Sequence, residues 1–183
     1  MTQLITPNQT VGPFFRIGLA HLYVNEIAGT GERFQIQGRV LDGDAKPVND
    51  AIVEIWQADA QGKYATAPSA GGNGAIAGFG RVATDTAGAF RFSTIKPGRV
   101  PAPDGALQAP HLAVAIFMRG LLKHLVTRVY FPDEQSNLED PILKLVPSER
   151  RATLMAKKIG AHAKSLEWNV ILQGRDETVF FDY

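Results

Sequence analysis

Hydrophobic and polar positions alternate along "RFQIQGRVL", residues 33–41. Phe34, Ile36, Gly38 and Val40 fall on one side and Gln35, Gln37, Arg39 and Leu41 on the other. A period of two is that of a strand with one buried face, and Asp42-Gly43 ends the run. Val53, Ile55 and Gln57 against Ile52, Glu54 and Trp56 repeat the pattern, so a second strand follows a polar turn segment containing Pro47. Residues 81–84 and 89–93 read as two short strands around a turn, where Gly88 supplies a permissive backbone. Further strands are expected over 112–117, 125–131, 168–172 and 178–181. One helix is expected over "PSERRATLMAKK", 147–158, with Ser148 as cap, Pro147 before it, and an apolar stripe of Leu154, Met155 and Ile159.

About eight short strands with one short helix near the C-terminal third predict a mainly β chain folded as a two-sheet β-sandwich. Trp56 is expected to fill the core, as large aromatics in strands usually do. The Gly-rich "APSAGGNGAIAGFG", 67–80, reads as a long surface loop. It has neither the Lys-Ser continuation of a phosphate loop nor a dinucleotide pattern.

A chain of 183 residues supports one domain with a real core. The expected division is an N-terminal arm, 1–33, and a sandwich, 34–183. With 19 basic and 18 acidic residues the net charge is +1, which gives no broad attraction for nucleic acid or an anionic membrane. The absence of cysteine excludes disulfides, zinc-thiolate sites, iron–sulfur clusters and a cysteine nucleophile. "MTQLITPNQT" lacks the basic and apolar regions of a leader, and no stretch approaches the ~20 apolar residues of a membrane span. A cytoplasmic, unprocessed protein is expected.

"APHLAVAIF", 109–117, reads as a buried strand with a single histidine at its start. His-x-His on a strand would offer one metal two imidazoles on the same face, but the position two after His111 is Ala113. His111 therefore reads as a core histidine bonded to a neighbour. A rival site would combine His111, His124 and a carboxylate, although the spacing carries no metal signature. His21 and His162 are expected at the surface, and Tyr130 in packing. In "HLVTRVYF", 124–131, alternation puts Val126, Arg128 and Tyr130 on one face, and a half-buried arginine there needs a partner. An internal carboxylate such as Glu54 or Asp85 is one candidate, and a ligand is another.

Four ordered segments, "TPNQTVGPFF" (6–15), "AIVEIWQADAQGKY" (51–64), "TIKPGRVP" (94–101) and "HLVTRVYF", resemble the intradiol ring-cleavage dioxygenases. These are non-haem Fe(III) enzymes that open catechols between the two hydroxyls. The short chain and its ending "ETVFFDY" narrow the resemblance to the branch built from homologous α and β chains. That branch converts protocatechuate and O₂ to 3-carboxy-cis,cis-muconate in aromatic catabolism.

The resemblance implies ferric iron held by two tyrosines and two histidines, hard phenolate oxygens suiting the ion. This sequence departs from that set. No tyrosine lies between Tyr64 and Tyr130, Val100 stands at a ligand tyrosine, Ala113 at the second histidine, and Gln108 at an arginine that assists the substrate. The departures match an α subunit with no metal ligands or catalytic residues of its own, in an αβ hetero-oligomer whose Fe(III) belongs to the β subunit. The resemblance also implies substrate-lining roles for Thr10, Gly12 and Pro13 in the arm and for Arg128. Alternatively, the arm only anchors on its own domain through Phe14 and Phe15. The competing view of the whole chain is a stand-alone β-sandwich carrier or binding module with no catalytic role.

Overall fold

Alternation along the chain resolves into two packed sheets. The computed structural model describes residues 6–66, 76–160 and 164–182. Its strands are β1 (Ile27–Ala28), β2 (Arg33–Leu41), β3 (Ile52–Trp56), β4 (Ile76–Ala77), β5 (Phe79–Ala83), β6 (Ala89–Ile95) and β7 (Val100–Pro101). They continue with β8 (Leu107–Gln108), β9 (His111–Phe117), β10 (Leu125–Tyr130), β11 (Lys157–Lys158), β12 (Ser165–Glu167) and β13 (Val170–Ile171). Two short helices, α1 (Pro13–Gly18) and α2 (Pro141–Leu145), lie outside the sheets. The first sheet has the order β1-β4-β5-β3-β9-β10. The second is built on β2, with β6 along one edge and β12 and β13 along the other, while β7 and β8 form a separate two-stranded hairpin.

The inward residues of both sheets form one core. Ile36, Val40, Phe90, Phe92, Leu166, Trp168 and Val170 come from the second sheet, and Val53, Ile55, Leu112, Val114, Ile116 and Val129 from the first. This is the expected mainly β, two-sheet arrangement. Consecutive strands often change sheet: the turn at 85–88 is tight, Gly88 at φ +71° helping it close, yet β5 pairs with β3 and β6 with β2. Gly38 is required for a different reason. A Cβ there would lie 1.7 Å from the Trp168 carbonyl oxygen, at the point where the chain passes from β12 to β13 alongside β2.

Three local expectations are corrected. Residues 147–158 are not an α-helix but turns, a 3₁₀ segment (Arg151–Leu154) and the strand Lys157–Lys158. The Thr153 carbonyl accepts from Trp168 Nε1 at 2.9 Å and the Ala156 N–H goes to the Tyr130 carbonyl, so tertiary partners take groups that helical bonding would need. The helix near the C-terminal third lies just upstream. Asp140 accepts from the Ile142 and Leu143 N–H groups and Pro141 occupies its first turn.

Of the last two expected strands, 168–172 holds the shorter β13, preceded by an unexpected β12, both parallel to β2, whereas 178–181 is not a strand and contributes only a bridge from Phe181 to Val126. Trp56 is 40% exposed, because Val53 and Ile55 take the inward positions of β3, and the tryptophan in the core is Trp168. Most of the Gly-rich stretch, 67–75, lies outside the described residues, and its end forms β4 and the start of β5.

Candidate functional site

On β9 the inward face is hydrocarbon: Leu112, Val114 and Ile116. The outward face carries His111, Ala113, Ala115 and Phe117. Register decides what meets them. Tyr130 stands opposite His111 and Arg128 opposite Ala113 on β10, and Trp56 stands opposite Ala113 on β3. The small side chains of Ala113 and Ala115 leave a shallow hollow of about 110 Å³, walled by Trp56, Phe79 and Val126.

The β7–β8 hairpin sets Val100 opposite Gln108, immediately before β9. Gln108 Oε1 accepts a 2.7 Å bond from Arg128 Nη1, while Gln108 Nε2 donates to the Pro101 carbonyl at 3.3 Å. Arg128 Nη1 also lies 3.5 Å from the Tyr130 hydroxyl, and its guanidinium sits 6.0 Å from the Phe181 ring centre. The Tyr130 hydroxyl donates to Asp140 Oδ1 at 3.2 Å. Fully buried Asp140 also accepts from the Ala109 N–H at 2.7 Å, so one carboxylate ties the start of β9 to α2. Burial raises the Tyr130 phenol above its ordinary value, which keeps it a neutral hydroxyl.

His111 is buried against Tyr130, with Nδ1 2.7 Å from the Ala109 carbonyl, so that nitrogen carries the proton. Burial, reinforced by the Arg128 charge, lowers its pKa from 6.5 to about 4, and the ring is neutral near pH 7. The iron implied by the resemblance does not fit this set of residues. Val100 is buried hydrocarbon, Ala113 offers no donor, His111 has one nitrogen committed to a carbonyl, and the Arg128 cation shares the face. His124 stacks on Phe117 at 5.0 Å, at the other end of β9, so it is not brought together with His111. His162 lies outside the described residues, and His21 is exposed.

The carboxylates expected as partners for Arg128 serve other groups. Glu54 pairs with Arg81 at 2.6 Å, and Asp85 accepts from the Ala87 and Ala89 N–H groups. The arm docks at the Phe117 end of the first sheet. Phe15 packs on Phe117 at 5.6 Å, whereas Phe14 is 79% exposed. Thr10 Oγ1 accepts from the Gly120 N–H at 2.8 Å, Gly12 precedes α1, and Pro13 opens it. Thr10, Gly12 and Pro13 are all exposed. Four residues of β9, about 13 Å at 3.3 Å per residue, separate the level of Arg128 from that of Phe15. The four proposed lining residues thus form two groups on this chain.

Sequence reasoning missed Gln108 as the partner of Arg128 and Asp140 as the tie between β9 and α2. The Asp140-Pro141 dipeptide was a readable helix-start signal, whereas the contact between Gln108 and Arg128 depends on the β8–β9 corner and has no sequence period. Among the described residues no helix is long and apolar enough to cross a membrane.

A family model described as "Dioxygenase" matches residues 20–174. The chain is 42% identical, over 97% of its length and 96% of the relative's, to the protocatechuate 3,4-dioxygenase alpha chain of Burkholderia cepacia. To the beta chain from the same organism it is 36% identical, over 81% of this chain and 67% of that one. The solved dioxygenase domain of a carbohydrate-binding fusion from Streptomyces sp. SirexAA-E superposes with a TM-score of 0.65 at 22% identity, covering 86% of this chain and 89% of that one. An intradiol ring-cleavage dioxygenase from Tetranychus urticae gives 0.63 at 18%, covering 81% and 85%, and these two likenesses concern the fold. With the ordered motifs, the two-sheet architecture and a match along nearly its whole length, this chain belongs to the intradiol ring-cleavage dioxygenase family.

Proposed function

We propose that this chain is the α subunit of a protocatechuate 3,4-dioxygenase of the cytoplasm, pairing with a homologous β chain that holds the ferric iron. In the assembly, protocatechuate and O₂ give 3-carboxy-cis,cis-muconate, and this chain acts by position. One observation carries the reading: Ala113 on the outer face of β9, and Val100 and Gln108 on the adjoining β7–β8 hairpin, stand where the resemblance implies metal-binding and substrate-assisting side chains, with the Arg128 guanidinium set among them.

Arg128 stands opposite Ala113, which lines the apolar hollow, and a cation next to such a hollow suits an aromatic carboxylate, the ring meeting hydrocarbon and the anion meeting Arg128. Arg128 and the exposed Thr10, Gly12 and Pro13 are the residues through which this chain lines the shared cleft, approaching it from two ends of the sheet. The similarity of this chain to a relative named as a beta chain supports a partner built on the same fold.

The test is co-expression with a β chain, followed by size-exclusion chromatography and turnover of protocatechuate. A co-eluting active complex is expected. Arg128→Ala should preserve assembly and lower kcat/KM about 10- to 100-fold, the worth of one charge-assisted contact. A stable monomer that ignores β at micromolar concentration would instead favour the stand-alone carrier.

A further inference from the structure

The geometry points to Gln108 as the positioning residue that aims the Arg128 guanidinium at the carboxylate of the aromatic substrate. As a neutral amide, it orients the cation without adding an opposing charge. The inference rests on the substrate contact proposed for Arg128 above.

An arginine on a strand has a long, flexible stem, and its usefulness toward a small anion depends on being held before the anion arrives. Gln108 is built to do this. It is buried, its backbone is pinned by pairing of β8 with β7, and its Nε2 donates to the Pro101 carbonyl. That bond commits the amide nitrogen away from Arg128 and presents Oε1 to Nη1, the only polarity a guanidinium can use, since it has donors alone. The Tyr130 hydroxyl lies 3.5 Å from the same Nη1, and the Phe181 ring centre lies 6.0 Å from the guanidinium carbon. The resemblance sets an arginine at position 108. Here the cation comes from β10 instead, and position 108 supplies its acceptor.

The choice of Gln over Glu is the testable part. A carboxylate at the same place would hold the guanidinium equally well and offset its charge, whereas an apolar side chain of similar size would leave the charge and release the aim. In the co-purified αβ enzyme, inhibition constants against protocatechuate turnover should be measured for 4-hydroxybenzoate and its uncharged amide, with wild type, Gln108→Leu, Gln108→Glu and Arg128→Ala. Preference for the acid over the amide should fall about 10- to 100-fold in Arg128→Ala and in Gln108→Glu, and about 5- to 10-fold in Gln108→Leu. The amide constant should stay within about twofold throughout, because the amide carries no charge for Arg128 to meet.

If Gln108→Leu keeps the wild-type preference while Arg128→Ala loses it, the positioning role is wrong and the substrate contact stands. If Arg128→Ala keeps the preference, the substrate contact itself fails and the positioning role with it. Parallel weakening of acid and amide in the Gln108 variants would mean a purely structural role and would also overturn the inference. Should Gln108→Leu not assemble, Gln108→Met, apolar and unbranched, takes its place with the same expected fall in preference.

Discussion

The two faces of β9 follow opposite logic. Inward, Leu112, Val114 and Ile116 meet residues of the second sheet and do nothing but exclude water. Outward, one strand carries a neutral buried histidine, two alanines that leave a hollow, and a phenylalanine that seats the arm. The inward face is dictated by the sandwich, so it is the part of the strand that any member of the fold needs. The outward face is free of that demand, and there Ala113 stands where the resemblance implies a second histidine.

The largest separation between the faces should come from truncating the inward one. Ile116→Ala should cost about 2–5 kcal/mol in denaturant unfolding, the range for opening a cavity in a packed core. Ala115→Ser, one residue away on the outward face, should cost under about 0.5 kcal/mol, as surface changes do. Equal losses would mean that the outward face is as tightly packed as the inward one.

Next in size is Asp140→Ala, which strands the N–H groups of Ala109, Ile142 and Leu143 and the Tyr130 hydroxyl behind the outward face. A loss of about 2–4 kcal/mol is expected, with the buried residues Tyr130, Leu143 and Leu154, which pack together beside α2, opening first in hydrogen exchange. Unchanged exchange at Ala109 and Leu143 would show that the carboxylate is not the tie.

A pH dependence sharpens the comparison further. His111 is neutral when folded, with its pKa lowered by burial to about 4, and unfolding returns it toward 6.5. The unfolded chain therefore binds more protons between those values, so the contribution is complete above pH 6.5 and lost as pH falls toward 4. Its size is about 3 kcal/mol. Denaturant midpoints of wild type and His111→Gln should converge over that window by about that amount, and parallel curves would contradict a buried neutral imidazole.

How much of this was legible beforehand follows from the physics of each feature. A short apolar run made β9 legible, and period-two alternation revealed β2 and β3, where polar residues oppose apolar ones. It misjudged Trp56, since residue size was allowed to outweigh the parity that Val53 and Ile55 had already set. The segment 147–158 has helical spacing, but its backbone groups are claimed by Trp168 and Tyr130, and such claims are invisible without the fold.

At the site, residue identities alone showed that Val100 and Ala113 cannot ligate. The bond between Gln108 and Arg128 and the distance between arm and arginine required the corner at β8 and the register of β10.

Iron content of the co-purified αβ complex tests the central claim most directly, measured beside this chain alone and with His111→Leu in this chain. One iron per αβ pair is predicted, unchanged by His111→Leu, with the isolated chain colourless and iron-free after incubation with ferric salt. Stoichiometric iron with a tyrosinate charge-transfer band in the isolated chain, or loss of iron from the complex on His111→Leu, would contradict the account.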